Sequence, residues 1–579
     1  MMDTNVREVI TLQVGHYANF VGTHWWNLQE ASFVYDSPAS TDINHDFLFR
    51  EGITLQRQET YTPRLISIDF KSNLHTLPTD GSLYSPHQPE LSTSQASWDG
   101  PVELIRQLAV NKNEFLRDLE QEEALHYLPT DEDKDICIDD KTPDGKVSTS
   151  APGSLQKVYD LQNHVTVWSD YLRPHLHPST VFLLDDNHMI NGNLSTEGSW
   201  GFNSGCSFWQ REEVEDGITD RIRIFAESCG SLQGFQVISD FHDGMGGISN
   251  GILAHLEDEY RSKDYLTIAV MPPHLLPETQ QLKLLVQSSI IQAYTMCSSL
   301  SSMLLPLSLR QQCLDFEAPY ITFPHLSLKE DIAYLSSSVL ASFIDTATLA
   351  YRLKTTPLPL RNITELLTFY NRPIVGSTIS LPLGLSSNQY LMEWLYKGNQ
   401  PCHVPLSPSM DIKTDPFSEM TVVRGIPSSR LIRPDSKLTH GKQYNTANAL
   451  YHDYLQESSK SPHKCVVLGA RDPLNTSSPF PSIFRSSVSE DGFVDFQNQS
   501  SDKIVKSLPC TASFHQGGGI GYFVQELLNA AEKTDIGKIP CLLDEGVDKE
   551  AWTHMKEQLR KLLGNYITKF EIDSSDDDC

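Results

Sequence analysis

The 579-residue chain has no C-x-x-C pair, no long apolar run and little positive charge, and each absence closes off a class of function. Its ten cysteines are scattered, which fits reduced thiols better than a disulfide framework or a zinc site. The best apolar stretches are broken, residues 264–276 by Pro272 and Pro273 and residues 338–351 by Asp345. None reaches the roughly 20 residues that a membrane span requires, so any membrane association is expected to be peripheral. With 74 acidic against 45 basic residues, the formal net charge is −29. Phosphate neutralisation needs a basic surface, so nucleic acid is not an expected partner, and broad adsorption to anionic lipid is disfavoured as well. The opening residues MMDTNVREVITLQVG have neither the basic and apolar regions of a secretory signal nor the Arg/Ser-rich pattern of a mitochondrial presequence, which points to the cytosol.

What is present reads as several globular units, because 579 residues exceed one ordinary core. Residues 9–14 form a strand, Gly15 turns the chain, and a helix follows with Ala18, Val21, Trp25 and Leu28 on one face. Residues 61–69 (YTPRLISID) read as a second strand. The pattern weakens from about 75 to 200, and residues 118–140 hold ten acidic residues and one lysine. A Pro/Ser/Thr/Gly run follows to 154, the composition of a solvated insertion. Order returns with a helix at 214–229, a strand at 235–238, a glycine-rich turn, a helix and a strand at 266–270. Alternation of this kind implies an α/β fold with a parallel sheet covered on both faces. Helices are predicted at 274–300, 328–353, 522–532 and 549–570, with strands near 420 and 465 in a mixed α+β second domain.

The turn at 240–251 (DFHDGMGGISNG) is the most informative segment. A glycine-rich turn between strand and helix lets bare backbone N–H groups approach a phosphate at a positive helix end. Gly244, Gly246 and Gly247 are kept, but His242 and Asp243 lead the turn, and an Asp243 carboxylate there would face and repel a triphosphate.

In order along the chain, residues 7–15 (REVITLQVG), 15–22 (GHYANFVG), 61–69, 220–223 (DRIR) with 232–235 (LQGF), Thr364-Glu365, and 524–527 (VQEL) with 545–552 (EGVDKEAW) resemble tubulin. The acidic insertion and the altered glycine turn make the chain most similar to the Misato family of tubulin-like proteins. The resemblance implies a tubulin/FtsZ-like fold divided as follows. An N-terminal segment spans 1–75 and an acidic insertion 76–200. The rest of the nucleotide-binding-type domain spans 201–325, a second α+β domain 326–515, and C-terminal helices with an acidic tail 516–579. It also implies a protein of the cytosol and mitochondrial outer surface, linked to mitochondrial distribution, morphology and inheritance and in some members to tubulin handling.

By the same resemblance, the residual nucleotide-pocket positions are Gly15, Asn19, Gly22, Asp69, Gly244, Gly246 and Gly247. His16 and Tyr17 replace tubulin's Gln and Cys, Lys71 replaces its magnesium-side acid, and Met245 and Ile248 put side chains where only backbone approaches the phosphates. These changes argue against tubulin-like GTP binding and against Mg²⁺, so no cofactor, metal or catalytic residue is assigned. Glu365 falls where tubulin has the acid that activates hydrolytic water, but it reads more simply as an exposed glutamate at a helix start. Gly517–Gly521 lacks the Lys-Ser/Thr of a phosphate loop, and His175, His177, Asp185, Asp186 and His188 fit no standard zinc spacing.

The reading is of a non-enzymatic regulator of mitochondrial shape, with outer-membrane proteins as expected partners. The alternative is a GTP-binding or tubulin-assembly factor that works with tubulin and the cytosolic chaperonin.

Overall fold

A computed structural model describes residues 7–34, 41–53, 59–81, 111–126, 159–185, 200–397, 403–433, 444–460, 463–495, 504–538, 547 and 549–566. The acidic stretch at 131–140, Asp186, His188 and the acidic tail lie outside the described residues.

The elements run β1 (Val9–Val14), α1 (His16–Glu30), β2 (Phe49–Ile53), β3 (Glu59–Pro63), β4 (Leu65–Phe70), α2 (Glu114–His126), β5 (Val181–Leu184), α3 (Phe202–Trp209), α4 (Glu212–Glu227) and β6 (Gly234–Asp240). They continue with α5 (Gly244–Glu259), β7 (Asp264–Met271), α6 (Gln280–Leu300), β8 (Met303–Ser308), α7 (Ala333–Arg352), α8 (Leu360–Leu367), β9 (Gly376–Ser380), α9 (Leu391–Lys397) and β10 (Val404–Pro405). The last are β11 (Ser418–Arg424), α10 (Ala447–Ser458), β12 (Lys464–Ala470), β13 (Leu474–Asn475), β14 (Ser507–Leu508), β15 (Cys510–Gln516), α11 (Gly521–Lys533) and α12 (Lys549–Tyr566).

Six parallel strands form the first sheet in the order β5-β4-β1-β6-β7-β8. These strands are apolar runs because both faces are covered. One face packs on α3, α4, α5, α6, α11 and α12 through residues such as Leu12, Ile66 and Val237. The other packs on α1 and α7, which in turn meet the second sheet through Ile379, Val422 and Phe514. That second sheet has the order β10-β9-β15-β11-β12, with only β11 and β12 parallel.

Helix α7 is the layer between the two sheets. Every residue from Tyr334 to Arg352 is buried, so no solvent face remains. Its hydroxyls close on the helix itself: Ser337 Oγ donates to Ala333 O at 2.6 Å and Thr348 Oγ1 to Ile344 O at 2.6 Å. Helix α1 buries more than the one face marked by Ala18, Val21, Trp25 and Leu28: everything from Tyr17 to Gln29 is buried, because α7 covers the side turned away from the sheet.

Two predicted features differ from the structure. The strand at 61–69 is two strands broken at Arg64: β3 pairs antiparallel with β2, and β4 joins the parallel sheet. Part of the segment read as an insertion, 76–200, belongs to the core. β5 extends the parallel sheet beside β4, and the turn Trp168–Tyr171 packs under α1. A four-residue strand between polar runs leaves too little periodicity to be read. Among the described residues no helix is long and apolar enough to cross a membrane.

The layers are tied by one buried ionic cluster. Asp345 on α7 accepts from Arg352 Nη2 at 2.9 Å and from Arg424 Nη1, on β11, at 2.6 Å. Arg352 Nη1 also donates to Gln29 Oε1 on α1 at 3.2 Å. Burial alone would raise the Asp345 carboxyl, but the two guanidiniums outweigh it and hold it below the usual carboxylate range. The resulting stabilisation is complete above the unfolded carboxyl's pKa of about 3.9 and is lost as pH falls through the lower native value. Asp345→Ala should lower the unfolding free energy by about 3–5 kcal/mol, since it leaves two buried guanidiniums unpaired, and denaturant melts at neutral pH measure this.

Candidate functional site

The first turn of α1 carries the site's governing contact. Gly15 sits at φ +108°, a conformation that favours glycine, and its N–H donates to Ile68 O at 3.0 Å. The opening amides of α1 have no partner within the helix, and together with the helix dipole they attract an anion. Here the acceptor is the chain's own: Tyr17 N donates to Asp240 Oδ2 at 2.9 Å and Ala18 N to Asp240 Oδ1 at 3.0 Å. A Cβ at Gly15 would lie 2.4 Å from Asp240 Oδ2, so glycine is also what lets this carboxylate in. Burial, with Asp243 and Asp69 nearby, pushes the Asp240 carboxyl well above its ordinary value, while the two amides pull the other way. A phosphate seeking these amides would have to displace Asp240.

Asp69, at the end of β4, is equally occupied. Its Oδ1 accepts from Phe70 N and Asn73 Nδ2, both at 2.8 Å. Its Oδ2 accepts from Trp168 Nε1 at 2.8 Å, lies 3.3 Å from His16 Nδ1 and has a weak 3.5 Å contact with Asn19 Nδ2. Asn19 is a strut between α1 and β4: Nδ2 donates to Ile68 O at 3.1 Å, and Oδ1 accepts from Ser67 Oγ at 2.7 Å. Lys71 is exposed beside this cluster. No group of three or more His, Cys, Asp or Glu able to hold a metal ion occurs among the described residues.

Asp243, expected to face a triphosphate, accepts from Met245 N at its Oδ1 at 2.9 Å and caps α5. The carboxylate that faces α1 is Asp240, three residues earlier at the end of β6 and not singled out by the sequence. Met245 and Ile248 were expected to crowd the phosphate positions, whereas both are buried in the apolar core.

The retained glycines have a packing role. A Cβ at Gly244 would sit 2.4 Å from the Trp200 ring, and one at Gly247 would sit 2.0 Å from Phe202 O. A Cβ at Gly205 of α3 would be 1.8 Å from Gly244 O, so α3 and α5 meet at backbone contact. Gly22 likewise lets α1 approach Gln13 of β1.

Around these carboxylates stand His16, His242 and His274. Burial lowers the pKa of His242 and His274, and His242 Nδ1 is buried without a hydrogen-bond partner. Tyr17 links the site to α7, its hydroxyl donating to Ser336 Oγ at 3.1 Å.

The remaining sequence candidates lie elsewhere. Glu365 is well inside α8, exposed and paired with Arg361 Nε at 2.9 Å. Gly517–Gly521 leads into α11, where Gly519 packs on Asp411 O. The His177 ring packs edge-on against Phe225.

The parallel sheet with α7 between it and a second mixed sheet, and the β1–α1 and β6–α5 turns facing each other, define a tubulin-like α/β protein. Residues 160–353 match the model of the tubulin domain, and residues 7–121 match that of the Misato Segment II tubulin-like domain. The chain is 31% identical to protein misato homolog 1 of Danio rerio over 99% of both chains. It is 29% identical to protein misato of Drosophila melanogaster, over 97% of this chain and 98% of the other. To protein misato homolog 1 of Homo sapiens it is 28% identical, over 98% and 99%. The chain belongs to the Misato family.

If the glycines serve packing, substitutions should rank by the space around them. Gly247→Ala should destabilise by about 1–3 kcal/mol or more through overpacking against Phe202. Gly246→Ala, whose Cβ would come no closer than 3.1 Å to Ala293 Cβ and 3.6 Å to Asp240 O and the Phe202 ring, should cost clearly less. Thermal melts without nucleotide give this ranking.

Proposed function

We propose that this chain is a non-enzymatic tubulin-like protein that works through its surface, regulating mitochondrial distribution, morphology, fusion and inheritance. The observation that carries this reading is the Asp240 carboxylate held by Tyr17 N and Ala18 N, at the helix end where the resemblance to tubulin puts phosphate. Two further features support it. Asp69 has both oxygens engaged by protein donors, which leaves a metal little to coordinate. Glu365 forms an exposed ion pair on α8, the arrangement of a solvated surface residue. A mitochondrial role follows from the family resemblance, and the proposed partners are proteins of the outer membrane met from the cytosolic face.

A second reading, a GTP-binding or tubulin-assembly factor acting with the cytosolic chaperonin on microtubules and the spindle, draws on Gly15, Asn19 and Gly22 at the β1–α1 turn. These keep tubulin-like positions.

Equilibrium binding with labelled GTP separates the two. The first reading expects no saturable binding at about 50 µM nucleotide, a level at which binding worth about 6 kcal/mol would be seen. It also expects Glu365→Ala to restore mitochondrial morphology in depleted cells as well as the parent chain does. Saturable GTP hydrolysis that disappears together with cellular rescue in Glu365→Ala would sink it. Recovery of tubulin and chaperonin subunits with the purified chain would favour the second reading.

A further inference from the structure

Away from the β1–α1 turn, a cavity of 490 Å³ lies between the C-terminal end of α6, the loop that follows α8 and the last helix, α12. Its size falls in the range of small-molecule sites. Arg372 and Lys561 both line it, and among the described residues neither pairs with a carboxylate. The cavity thus carries two cations without a carboxylate partner in a chain of net charge −29.

Arg372 is 8% exposed. Its Nε donates to Asn565 O and its guanidinium lies 4.6 Å from the centre of the Phe417 ring, which fixes the fork. Among the described residues neither terminal nitrogen has a hydrogen-bond acceptor. A buried guanidinium in that state is suited to an oxyanion, which it can hold by two parallel N–H···O bonds. Burial lowers its affinity for its own proton, so an anion bound there would relieve a real desolvation cost. Lys561 adds a second positive charge. Two cations match a phosphomonoester, which carries about −1.5 to −2 at neutral pH, better than a single carboxylate.

The rest of the lining defines the remainder of the ligand. Thr295 Oγ1 donates to Ile291 O at 2.6 Å, Ser298 Oγ to Thr295 O at 3.0 Å and Thr368 Oγ1 to Thr364 O at 2.7 Å. Each hydroxyl has spent its one proton on its own helix, so toward the cavity it offers lone pairs only. The cavity therefore accepts hydrogen bonds along one wall and donates them from its two cations. A ligand fitting both has an anionic group and several hydroxyl donors.

We propose that this cavity binds a phosphorylated polyol, with the phosphate held by Arg372 and Lys561 and the polyol hydroxyls donating to the threonine and serine oxygens. The site is independent of the reading given for the α1 and α5 turns. The chemistry is shared by soluble sugar phosphates and by the inositol phosphate headgroup of a lipid.

The test is calorimetric titration of the full chain with glucose 6-phosphate and inositol 1-phosphate, beside unphosphorylated glucose and inositol, together with flotation on phosphatidylcholine vesicles with or without phosphatidylinositol 4-phosphate. Saturable binding of a phosphorylated probe, absent for its unphosphorylated form, is expected, and K561Q and R372Q should each weaken it at least about tenfold. Arg372 also packs on Phe417, so R372Q alone could act through folding. K561Q changes an exposed side chain and should leave the melting temperature unchanged while still losing the ligand. Soluble binding without flotation assigns a free sugar phosphate. Flotation that needs the phosphorylated lipid and is lost in K561Q assigns the headgroup. No saturable binding of any phosphorylated probe at millimolar concentration, or the same affinity in K561Q as in the parent, overturns the proposal.

Discussion

The hydrogen bonds from Tyr17 and Ala18 to Asp240 are the constraint on which the rest of the site depends. They join the end of β6 to the start of α1, two elements 223 residues apart in sequence that the pairing of β1 with β6 brings together. A helix N-terminus buried in protein must find acceptors for its opening amides, and a ligand, water or a side chain can supply them. With Asp240 in that role, Gly15 must lack a Cβ, Asn19 can settle onto Ile68 and Ser67, and Asp69 can turn its oxygens toward Trp168 and Asn73. Each of these contacts completes a group that would otherwise be buried unsatisfied.

Helix α7 extends the same logic to the whole molecule. It is buried on every side and reaches α1 through Ser336 and Tyr17, while Asp345 reaches β11 through Arg424. Removing one member of a buried charge cluster costs more than the cluster as a whole contributes, because the survivors stay desolvated. The Asp345 cluster thus joins α1, α7 and β11 at one buried point.

Much of this architecture was legible in the residues. β1, β6 and β7 are apolar runs bounded by glycine or turn residues, and their parallel pairing followed from the alternation with helices. The site was legible only in part. Asp240 at a strand end reads as an ordinary polar residue entering a turn, and Asp243 is three positions away. Which of the two faces α1 depends on the crossing of β1 and β6, which no local pattern encodes. The glycines are ambiguous for a different reason. A missing Cβ serves phosphate approach and helix approach alike, and only the position of α3 against Gly244 and Gly247 tells them apart. β5 and Trp168 were hidden because they are short ordered pieces beside a long polar stretch.

An internal carboxylate at a helix end has a thermodynamic consequence beyond blocking a ligand. A fold whose amides are satisfied by a bound anion gains stability in proportion to the logarithm of ligand concentration over its dissociation constant. An aspartate held in the same chain is present at fixed effective concentration, so what this contact contributes does not depend on the concentration of any ligand. The cost is a buried acid whose charged form is disfavoured, as the raised Asp240 carboxyl records. That cost is bearable because burial penalises the charge and not the geometry: a protonated carboxyl keeps an acceptor for at least one α1 amide. A side chain in this place therefore holds the start of α1 from within the chain, through the same two amides whether its carboxyl is charged or neutral.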